Sequence, residues 1–433
     1  MSLAMVGLTG ILILLLVLFL VRMPVGLAMG VVGLCGLWYV KGLPVALGLL
    51  GDEVWGVFSS YGLTVIPLFI LMGQVCFYAG VNKRLYGAAY VWMGPIRGGI
   101  AMATVLACAG FSAISGSNSA TAATMSTVAL PEMKKYRYSS ILSTGSVAAG
   151  ATLGVVIPPS VVLIIIGLQT GVSIGKLFMG GVIPGILLTG LFMATIWYLC
   201  KVHPTWGPAG PRTTWREKIA SLSGSLEMLL LFALVMGGLF AGFFTPSEAG
   251  AAGAGLSILL STMRRRLSMS DLHKALMDTL RVSSMIMVIV LGAVIFGRFL
   301  AVTRLPFEVA QWTAGLSLPG WAIILMICAI YAVGGAIMDA LALLLITIPI
   351  FFPVAQGLGY DPLWFGVLIT VVTTLGAITP PVGVSTFIVA SMATGVPLSD
   401  VFRGVSYFTF AFIACVLLMM IFPGLVLWLP GLM

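Results

Sequence analysis

Long uninterrupted apolar runs follow one another along almost the whole chain, and residues 11–21 and 285–294 are two examples. About 20 consecutive apolar residues allow a helix to cross a bilayer. Of the 433 residues, 60% are apolar and only 8% are charged, whereas soluble domains carry roughly 25% charged residues. The continuous runs also differ from the alternating strands of a transmembrane β-barrel. The sequence therefore predicts an all-α polytopic membrane protein and excludes a water-soluble globular fold.

Glycine, proline and charged residues divide the apolar runs into candidate helices at 4–21, 24–40, 62–80, 141–172, 177–199, 225–244, 247–263, 283–302, 363–395 and 402–422. Two other apolar stretches, residues 98–130 and 318–353, are too long for one crossing and are interrupted halfway by small or polar residues. We predict that each is a re-entrant helical hairpin. Residues 42–61 and 81–97 are predicted to be interfacial arm helices, with ordinary loops as the alternative.

Basic residues indicate the orientation of these helices. The formal net charge is +9, but the positive residues are dispersed among loops without a groove-reading motif, so nucleic acid is not an expected partner. Lys and Arg near helix ends favour the cytoplasmic side. With a periplasmic N-terminus and both hairpins re-entrant, only Lys41, Lys176 and Arg304 fall in outside loops, and Arg298 is expected to reach the outer interface. Counting either hairpin as one crossing would move every later loop to the wrong side.

The two halves of the chain repeat one another. A shift of 222 residues aligns Pro24 with Pro246, and other matches are Pro131 with Pro353, Gly154 with Gly376, and Pro158-Pro159 with Pro380-Pro381. Residues 1–200 form the first repeat and 225–433 the second, and 201–224 form a polar cytoplasmic linker. The first hairpin opens from the cytoplasm and the second from the outside, so we predict inverted repeats. Inverted repeats are typical of secondary transporters, whose sites lie near the bilayer midplane.

Both hairpin tips carry groups suited to binding. Hydroxyl, amide and free carbonyl oxygens can bind a monovalent cation without adding charge, and an ionisable residue at membrane depth is costly and usually functional. A structural helix cap is the alternative role for the acidic residue of the second tip. The candidates at the tips are Ser115, Ser117, Asn118 and Ser119 in the first and Gly334, Gly335 and Asp339 in the second.

Two predicted helices, 141–172 and 363–395, each contain a glycine followed by a pair of prolines. Proline lacks the backbone donor and clashes with the preceding turn, so we predict discontinuous helices, with a simple kink as the alternative. Carbonyl ends can bind a cation, and helix N-termini can face an anion. The candidates at the breaks are Gly154, Pro158 and Ser160 in the first and Thr374, Gly376, Thr379, Gly383 and Ser385 in the second.

Other polar residues have simpler interpretations. The six cysteines lie mostly within apolar runs without metal-site spacing and are predicted to be packing residues. The two histidines, His203 and His273, fall in predicted cytoplasmic segments, which argues against an intramembrane metalloenzyme or haem protein. Glu248 is expected to cap its helix. The sequence predicts neither an enzyme nor a cofactor, and a monovalent cation is the only ion that the polar tips suggest.

Four segments together resemble a known family, the large membrane subunit of tripartite ATP-independent periplasmic (TRAP) transporters of the C4-dicarboxylate type. They are GFSAISGSNSATAATM at 110–125, LGVVIPPSVVLI at 153–164, GGAIMDALALLLITIPIFFPV at 334–354 and LGAITPPVGVSTFIVA at 375–390. The resemblance runs along nearly the whole chain. It implies a role for Asp339 in the region that binds substrate and ion.

The resemblance also implies partners and a mechanism. A periplasmic binding protein would deliver an organic anion, a small four-helix membrane subunit would brace the large one, and sodium would drive uptake in the bacterial inner membrane. The family is similar to elevator-type carriers, in which the hairpins and broken helices slide against a scaffold. No segment resembles the small subunit, so the partner is expected to be a separate chain. The substrate could be a dicarboxylate, sialic acid, a keto acid or a similar anion.

The repeat symmetry suggests two sodium sites. One would lie between the Ser115 to Ser119 tip and the Gly154 to Pro158 break, and the other between the Gly334 to Asp339 tip and the Thr374 to Thr379 break. The predicted substrate-binding residues between the tips are Ser117, Asn118, Ser160, Gly335, Asp339, Gly383 and Ser385. The alternatives are a self-contained anion/sodium or sodium/proton carrier of the same plan and, from another class, a membrane-embedded enzyme or scaffold.

Overall fold

The computed structural model describes residues 2–433, and its regular structure over that range is helical. The helices of the first half are α1 (Leu3–Leu16, continued by a π-helix Val17–Val21), α2 (Val25–Lys41), α3 (Leu43–Phe58), α4 (Val65–Tyr78), α5 (Val81–Met93), α6 (Gly99–Ser115), α7 (Asn118–Lys135), α8 (Ser140–Ala151), α9 (Leu153–Val156), α10 (Val161–Thr170) and α11 (Ile174–Val202). The helices of the second half are α12 (Trp215–Phe240), α13 (Pro246–Met263), α14 (Met269–Val302), α15 (Leu305–Ala314), α16 (Gly320–Ile337), α17 (Ala340–Gly357), α18 (Pro362–Gly376), α19 (Val384–Met392), α20 (Leu398–Ile421) and α21 (Gly424–Leu427).

Within residues 2–433, nine helical segments are long and apolar enough to cross a membrane. This finding agrees with the prediction of an all-α polytopic membrane protein. Each overlong apolar stretch is a pair of helices, α6 with α7 and α16 with α17, joined by a short turn at the predicted tip. The two predicted arms are helices α3 and α5, so the alternative of ordinary loops was wrong.

The helices of the second half follow those of the first at the spacing of the sequence repeat. Adding 222 to the bounds of α7 gives those of α17, and α6, α10 and α2 match α16, α19 and α13 within two residues. The first half is interrupted at two places where the second half is continuous. Helices α3 and α4 are separate whereas their counterpart α14 is continuous, and α8 and α9 are separate whereas their counterpart α18 is continuous. The inverted orientation of the repeats stays a prediction.

Two helices begin well before their predicted starts. Helix α14 was expected from residue 283 but begins at Met269, because Ser268 caps it by accepting from the N–H of Asp271 at 3.1 Å. Helix α12 was expected from residue 225 but begins at Trp215, after a capping box between Thr214 and Glu217. The last ten residues of the predicted linker are therefore helical. Polar residues concealed both starts, since they lie on helix ends outside the apolar runs.

The broken helices lie at the centre of the molecule. In the most apolar 18 residues of the segment Ser140–Thr170, 89% of the residues are buried inside the protein. The corresponding share in Leu3–Val21 is 22%. Proline and glycine interruptions in a membrane are tolerated where protein surrounds the freed backbone groups. The first break therefore lies where the surrounding protein can supply hydrogen-bond partners for its irregular backbone.

Ion pairs connect helices of the bundle. The buried carboxylate of Glu227 on α12 pairs with Arg84 on α5 at 2.6 Å, and with Arg264 and Arg266 in the turn before α14 at 2.7 and 2.8 Å. Arg298, which was expected to reach the outer interface, pairs through its Nε with the Glu53 carboxylate on α3. The predicted cap at Glu248 is confirmed, because Thr245 and Glu248 form a capping box on α13.

Candidate functional site

The tip of the first hairpin is a two-residue turn between α6 and α7. Gly116 has a φ of +60°, in the left-handed region that favours glycine. Ser117 then caps α7, because its hydroxyl oxygen accepts from the N–H of Ala120 at 3.4 Å. The hydroxyl oxygens of Ser115 and Thr121 lie 3.0 Å apart. The predicted polar residues therefore close the tip through short-range hydrogen bonds.

The first helix break packs directly against this tip. A Cβ atom on Gly154 would lie 2.7 Å from the carbonyl oxygen of Ser117. A Cβ atom on Gly116 would lie 2.9 Å from the carbonyl oxygen of Pro159. Both distances are shorter than real Cβ contacts, so the backbone of the tip and the backbone of the break touch because these residues lack side chains.

The second half repeats this arrangement. Asp339 caps α17, and its carboxylate accepts from the N–H of Leu341 at 3.0 Å. The carbonyl oxygen of Ala336, at the end of α16, accepts from the N–H groups of Val382 and Gly383 at 3.1 and 3.2 Å. These bonds join the second tip to the second break by main-chain atoms alone.

Two glycines make the second contact close. A Cβ on Gly335 would lie 2.5 Å from the carbonyl oxygen of Thr373, and one on Gly376 would collide with the Gly335 backbone. The hydroxyl of Thr379 donates to the carbonyl of Gly376 at 3.1 Å. The hydroxyl of Thr374 donates within α18. The structure thus brings together the predicted residues of each tip and its own break.

Both tips line a single cavity of about 960 Å³ whose other walls come mainly from α2, α4 and α14. The predicted residues that line it are Ser115, Ser117, Asn118, Ser119 and Asp339. The remaining candidates lie outside its lining, and they are Gly154, Pro158, Ser160, Gly334, Gly335, Thr374, Gly376, Thr379, Gly383 and Ser385. Ser160 is fully buried and caps α10 by accepting from the N–H of Leu163 at 3.5 Å.

Sequence reasoning missed several polar residues of this cavity. Gln74 on α4, Thr124 on α7 and Ser284 on α14 all line it. Gln74 carries the only amide side chain in the apolar stretch 65–78, and such a polar residue in a membrane helix is a recognisable signal. Thr124 and Ser284 have no comparable signal, because hydroxyls are common in membrane helices and often bond to their own backbone.

The cavity has an unusual balance of charge. Among its lining residues, all within the described part of the chain, Asp339 is the only one with an acidic or basic side chain. The side-chain oxygen of Asn118, Oδ1, is buried and has no hydrogen-bond partner there. Hydroxyls, the side-chain amides of Gln74 and Asn118 and the N-terminal N–H groups of α7 and α17 are therefore the available donors for an anion. Side-chain and backbone oxygens can act as cation ligands.

Comparison with known proteins identifies this arrangement. Residues 12–425 match the family model described as "Tripartite ATP-independent periplasmic transporter, DctM component". The chain belongs to this TRAP transporter family. The match confirms the resemblance seen at the tips and breaks. Its relatives are permease subunits and not enzymes, in agreement with the sequence prediction.

Individual TRAP relatives are similar over most of the chain. A C4-dicarboxylate TRAP transporter large permease protein from Pseudomonas aeruginosa is 35% identical over 389 residues, covering 90% of each chain. An isethionate TRAP transporter permease protein from Oleidesulfovibrio alaskensis is 33% identical over 86% of this chain and 58% of the relative. The crystal structure of the Alcanivorax borkumensis YdaH transporter covers 97% of this chain and 98% of its own, with a TM-score of 0.66 at 15% identity, and so supports the fold.

Proposed function

We propose that this chain is the membrane subunit that carries out sodium-coupled uptake of a small organic anion bearing a carboxylate. A periplasmic binding protein delivers the anion, and a small membrane subunit completes the three components that the family name implies. The protein lies in the bacterial inner membrane with its N-terminus in the periplasm. The observation that carries the proposal is the single cavity that both hairpin tips line without any cationic side chain.

The anion binds between the two tips. Its carboxylate accepts hydrogen bonds from the Ser117 and Ser119 hydroxyls and from the N-terminal N–H groups of α7. This proposal is supported by the position of Ser117 as the N-cap in the cavity wall and by the preference of helix N-termini for anions. The bound sodium ions offset the negative charge that Asp339 brings to the same cavity.

Each sodium ion binds where a tip meets its break. At the first, the unpartnered Oδ1 of Asn118 lies next to the backbone contact of Ser117 with Gly154. At the second, the hydroxyl of Ser385 is buried without a partner two residues after Gly383, whose N–H donates to the Ala336 carbonyl of the tip. Buried unpaired oxygens are costly, and a cation that binds them removes this cost. Sodium binding therefore orders the tips, and sodium and anion affinities are reciprocally coupled.

Transport proceeds by an elevator movement of the hairpins and broken helices, α6 to α10 and α16 to α19, against the scaffold. The cavity walls include Pro24, Phe77 and Val282, which lie close in sequence to Arg22, Lys83 and Arg281. Since basic residues mark the cytoplasmic side, this cavity corresponds to a cytoplasm-facing state from which the substrate is released.

Proteoliposome uptake tests the proposal. Proteoliposomes that contain the purified complex are supplied with the binding protein, which carries a radiolabelled carboxylate. They should accumulate the carboxylate only with an inward sodium gradient. The Ser117→Ala/Asp339→Ala double variant should lose coupled uptake. A matched Ser406→Ala variant, which removes an exposed hydroxyl bonded only to its own helix, should retain it. Uptake that is indifferent to sodium, or full activity of the double variant, contradicts the proposal.

A further inference from the structure

A second cavity, of about 410 Å³, lies between the arm helix α5 and the hairpin helix α7. It shares no lining residue with the cavity between the tips. Its lining residues are Lys83, Tyr86, Gly87 and Tyr90 from α5, and Thr127, Val128 and Glu132 from α7. The cavity therefore adjoins the same helix whose other end forms the first tip.

Two tyrosines form the aromatic wall of this cavity. Tyr86 is 4% exposed, and its hydroxyl oxygen is buried without a hydrogen-bond partner. The Tyr90 hydroxyl oxygen is also buried without one. The two rings stack with centroids 6.5 Å apart, and Tyr136 continues the row 6.0 Å beyond Tyr90. Buried hydroxyls are normally paired with protein, ligand or water, so this wall has unused hydrogen-bonding groups.

Opposite charges line the two sides of the cavity. Lys83 lies on the α5 side and Glu132 on the α7 side. The ion pairs within 4.0 Å that the structure contains over residues 2–433 involve neither of them. A free ammonium on one wall, a free carboxylate on the other and tyrosine rings between them match a zwitterion. A phosphate would pair with the lysine, and an ammonium with the carboxylate and the ring faces.

The position of the cavity along α7 matches the level of lipid headgroups. Glu132 is 14 residues beyond Asn118 (132 − 118), which is about 21 Å along a helix. Half of the hydrocarbon core of a bilayer measures about 15 Å. With the tip near the midplane, Glu132 lies just outside the hydrocarbon. Lys134 and Lys135 end the helix there, as basic residues do at a membrane surface.

We infer that this cavity binds the headgroup of a zwitterionic phospholipid with a primary ammonium, namely phosphatidylethanolamine. The phosphate contacts Lys83 and the tyrosine hydroxyls, and the ammonium donates to Glu132. A choline headgroup has no N–H to donate to this carboxylate, and phosphatidylglycerol has no cation for it. The bound lipid joins the arm helix to the hairpin that lines the transport cavity. The inference is independent of the substrate and of the coupling ion.

Native mass spectrometry of the purified, delipidated transporter complex tests the inference. The probes are equimolar dioleoyl phosphatidylethanolamine, phosphatidylcholine and phosphatidylglycerol, with water-soluble glycerophosphoethanolamine as a separate arm. The wild type should retain phosphatidylethanolamine about tenfold over the other two lipids. The Lys83→Ala/Glu132→Gln variant should lose this preference. Tyr86→Phe, which keeps the ring and the packing but removes a hydroxyl from the phosphate that all three lipids share, should reduce the retention of each lipid about threefold and leave their ratio unchanged.

A control variant of matched charge is available at the same membrane face. Lys134→Ala/Glu217→Gln removes one lysine and one glutamate outside the cavity lining and should keep the wild-type preference. Equal retention of the three lipids by the wild type would overturn the inference. So would an unchanged preference in Lys83→Ala/Glu132→Gln. Displacement of the lipid by an equal concentration of glycerophosphoethanolamine would overturn it as well, because the site would then select a soluble zwitterion.

Discussion

Ser117 and Asp339 occupy the same position in the two hairpins. Each residue caps the second helix of its hairpin, each lines the cavity between the tips, and 222 residues separate them. One cap is neutral and the other is acidic. The near-symmetric backbone therefore presents a neutral cap at one tip and a carboxylate cap at the other, and the difference resides in two side chains.

The two caps should respond differently to substitution. Ser117→Asp preserves the N-cap but places a second carboxylate in the cavity. At about 8 Å and an effective dielectric constant near 20, the repulsion of an anionic substrate is about 2 kcal/mol, or roughly thirtyfold in affinity. Asp339→Asn should instead weaken the apparent affinity for sodium, with little loss of anion affinity once sodium is saturating. Binding assays at varied sodium concentration measure both, and equal effects of the two variants on the anion would contradict this assignment.

The glycine contacts between tips and breaks should not accept a methyl group. Gly376→Ala and Gly154→Ala place a Cβ against the backbone of the opposing tip, and overpacking of this kind costs roughly 1–3 kcal/mol. We expect both variants to lose most transport in proteoliposomes. Gly255→Ala is the matched control, because it adds the same methyl to a helix where no atom lies within 4 Å. Wild-type uptake by Gly376→Ala would show that the contact is not needed.

The three-arginine cluster around Glu227 should stabilise the join of α5 and α12. Glu227→Gln leaves the partly buried Arg84 without its carboxylate, and an unpaired buried charge-assisted group costs about 1–3 kcal/mol. We expect a lower melting temperature for the detergent-purified protein. Arg281→Gln removes the i,i+3 ion pair with Asp278. The Arg281 side chain is 81% exposed, so this variant should change the melting temperature little. Equal melting temperatures for Glu227→Gln and the wild type would contradict the expectation.

The start of α12 should depend on pH. The backbone N–H of Thr214 donates to the Glu217 carboxylate and holds its pKa below the usual value. A lowered folded pKa means that the cap contributes at neutral pH and is lost as the pH falls through that pKa. Amide hydrogen exchange over residues 215–219 should therefore rise in acid beyond its intrinsic pH dependence. Thr214→Ala should show fast exchange already at neutral pH, and Ser223→Ala should exchange like the wild type.

The proposed elevator movement predicts that the cavity opens alternately to the two sides of the membrane. Ala123 lines the cavity, so Ala123→Cys in a Cys35→Ser background introduces a label site where the other native cysteines are buried. A membrane-impermeant maleimide should reach it from the cytoplasmic side without ligands and from the periplasmic side when sodium favours the outward state. Labelling from one side under every condition would contradict the movement.

Much of the architecture was predictable because the bilayer imposes simple rules. Apolar runs determine where helices cross, and paired prolines determine where they break. The hairpins α6–α7 and α16–α17 and both breaks lie where the sequence predicted them. Helix starts such as Met269 and Trp215 were not predictable from hydropathy, since polar caps and amphipathic turns decide them.

The sequence by itself determined the membrane fold, the two polar tips and the repeat that pairs Ser117 with Asp339. Only the tertiary structure decided which candidates face the cavity and which hold the tips in place. Ser160 and Ser385 are as polar as Ser117, but they lie behind the lining at the breaks. The reason is that neighbouring side chains in a turn point in different directions. The glycine backbones of each tip pack against its break, so only the side chains on the opposite side of the tip face the cavity.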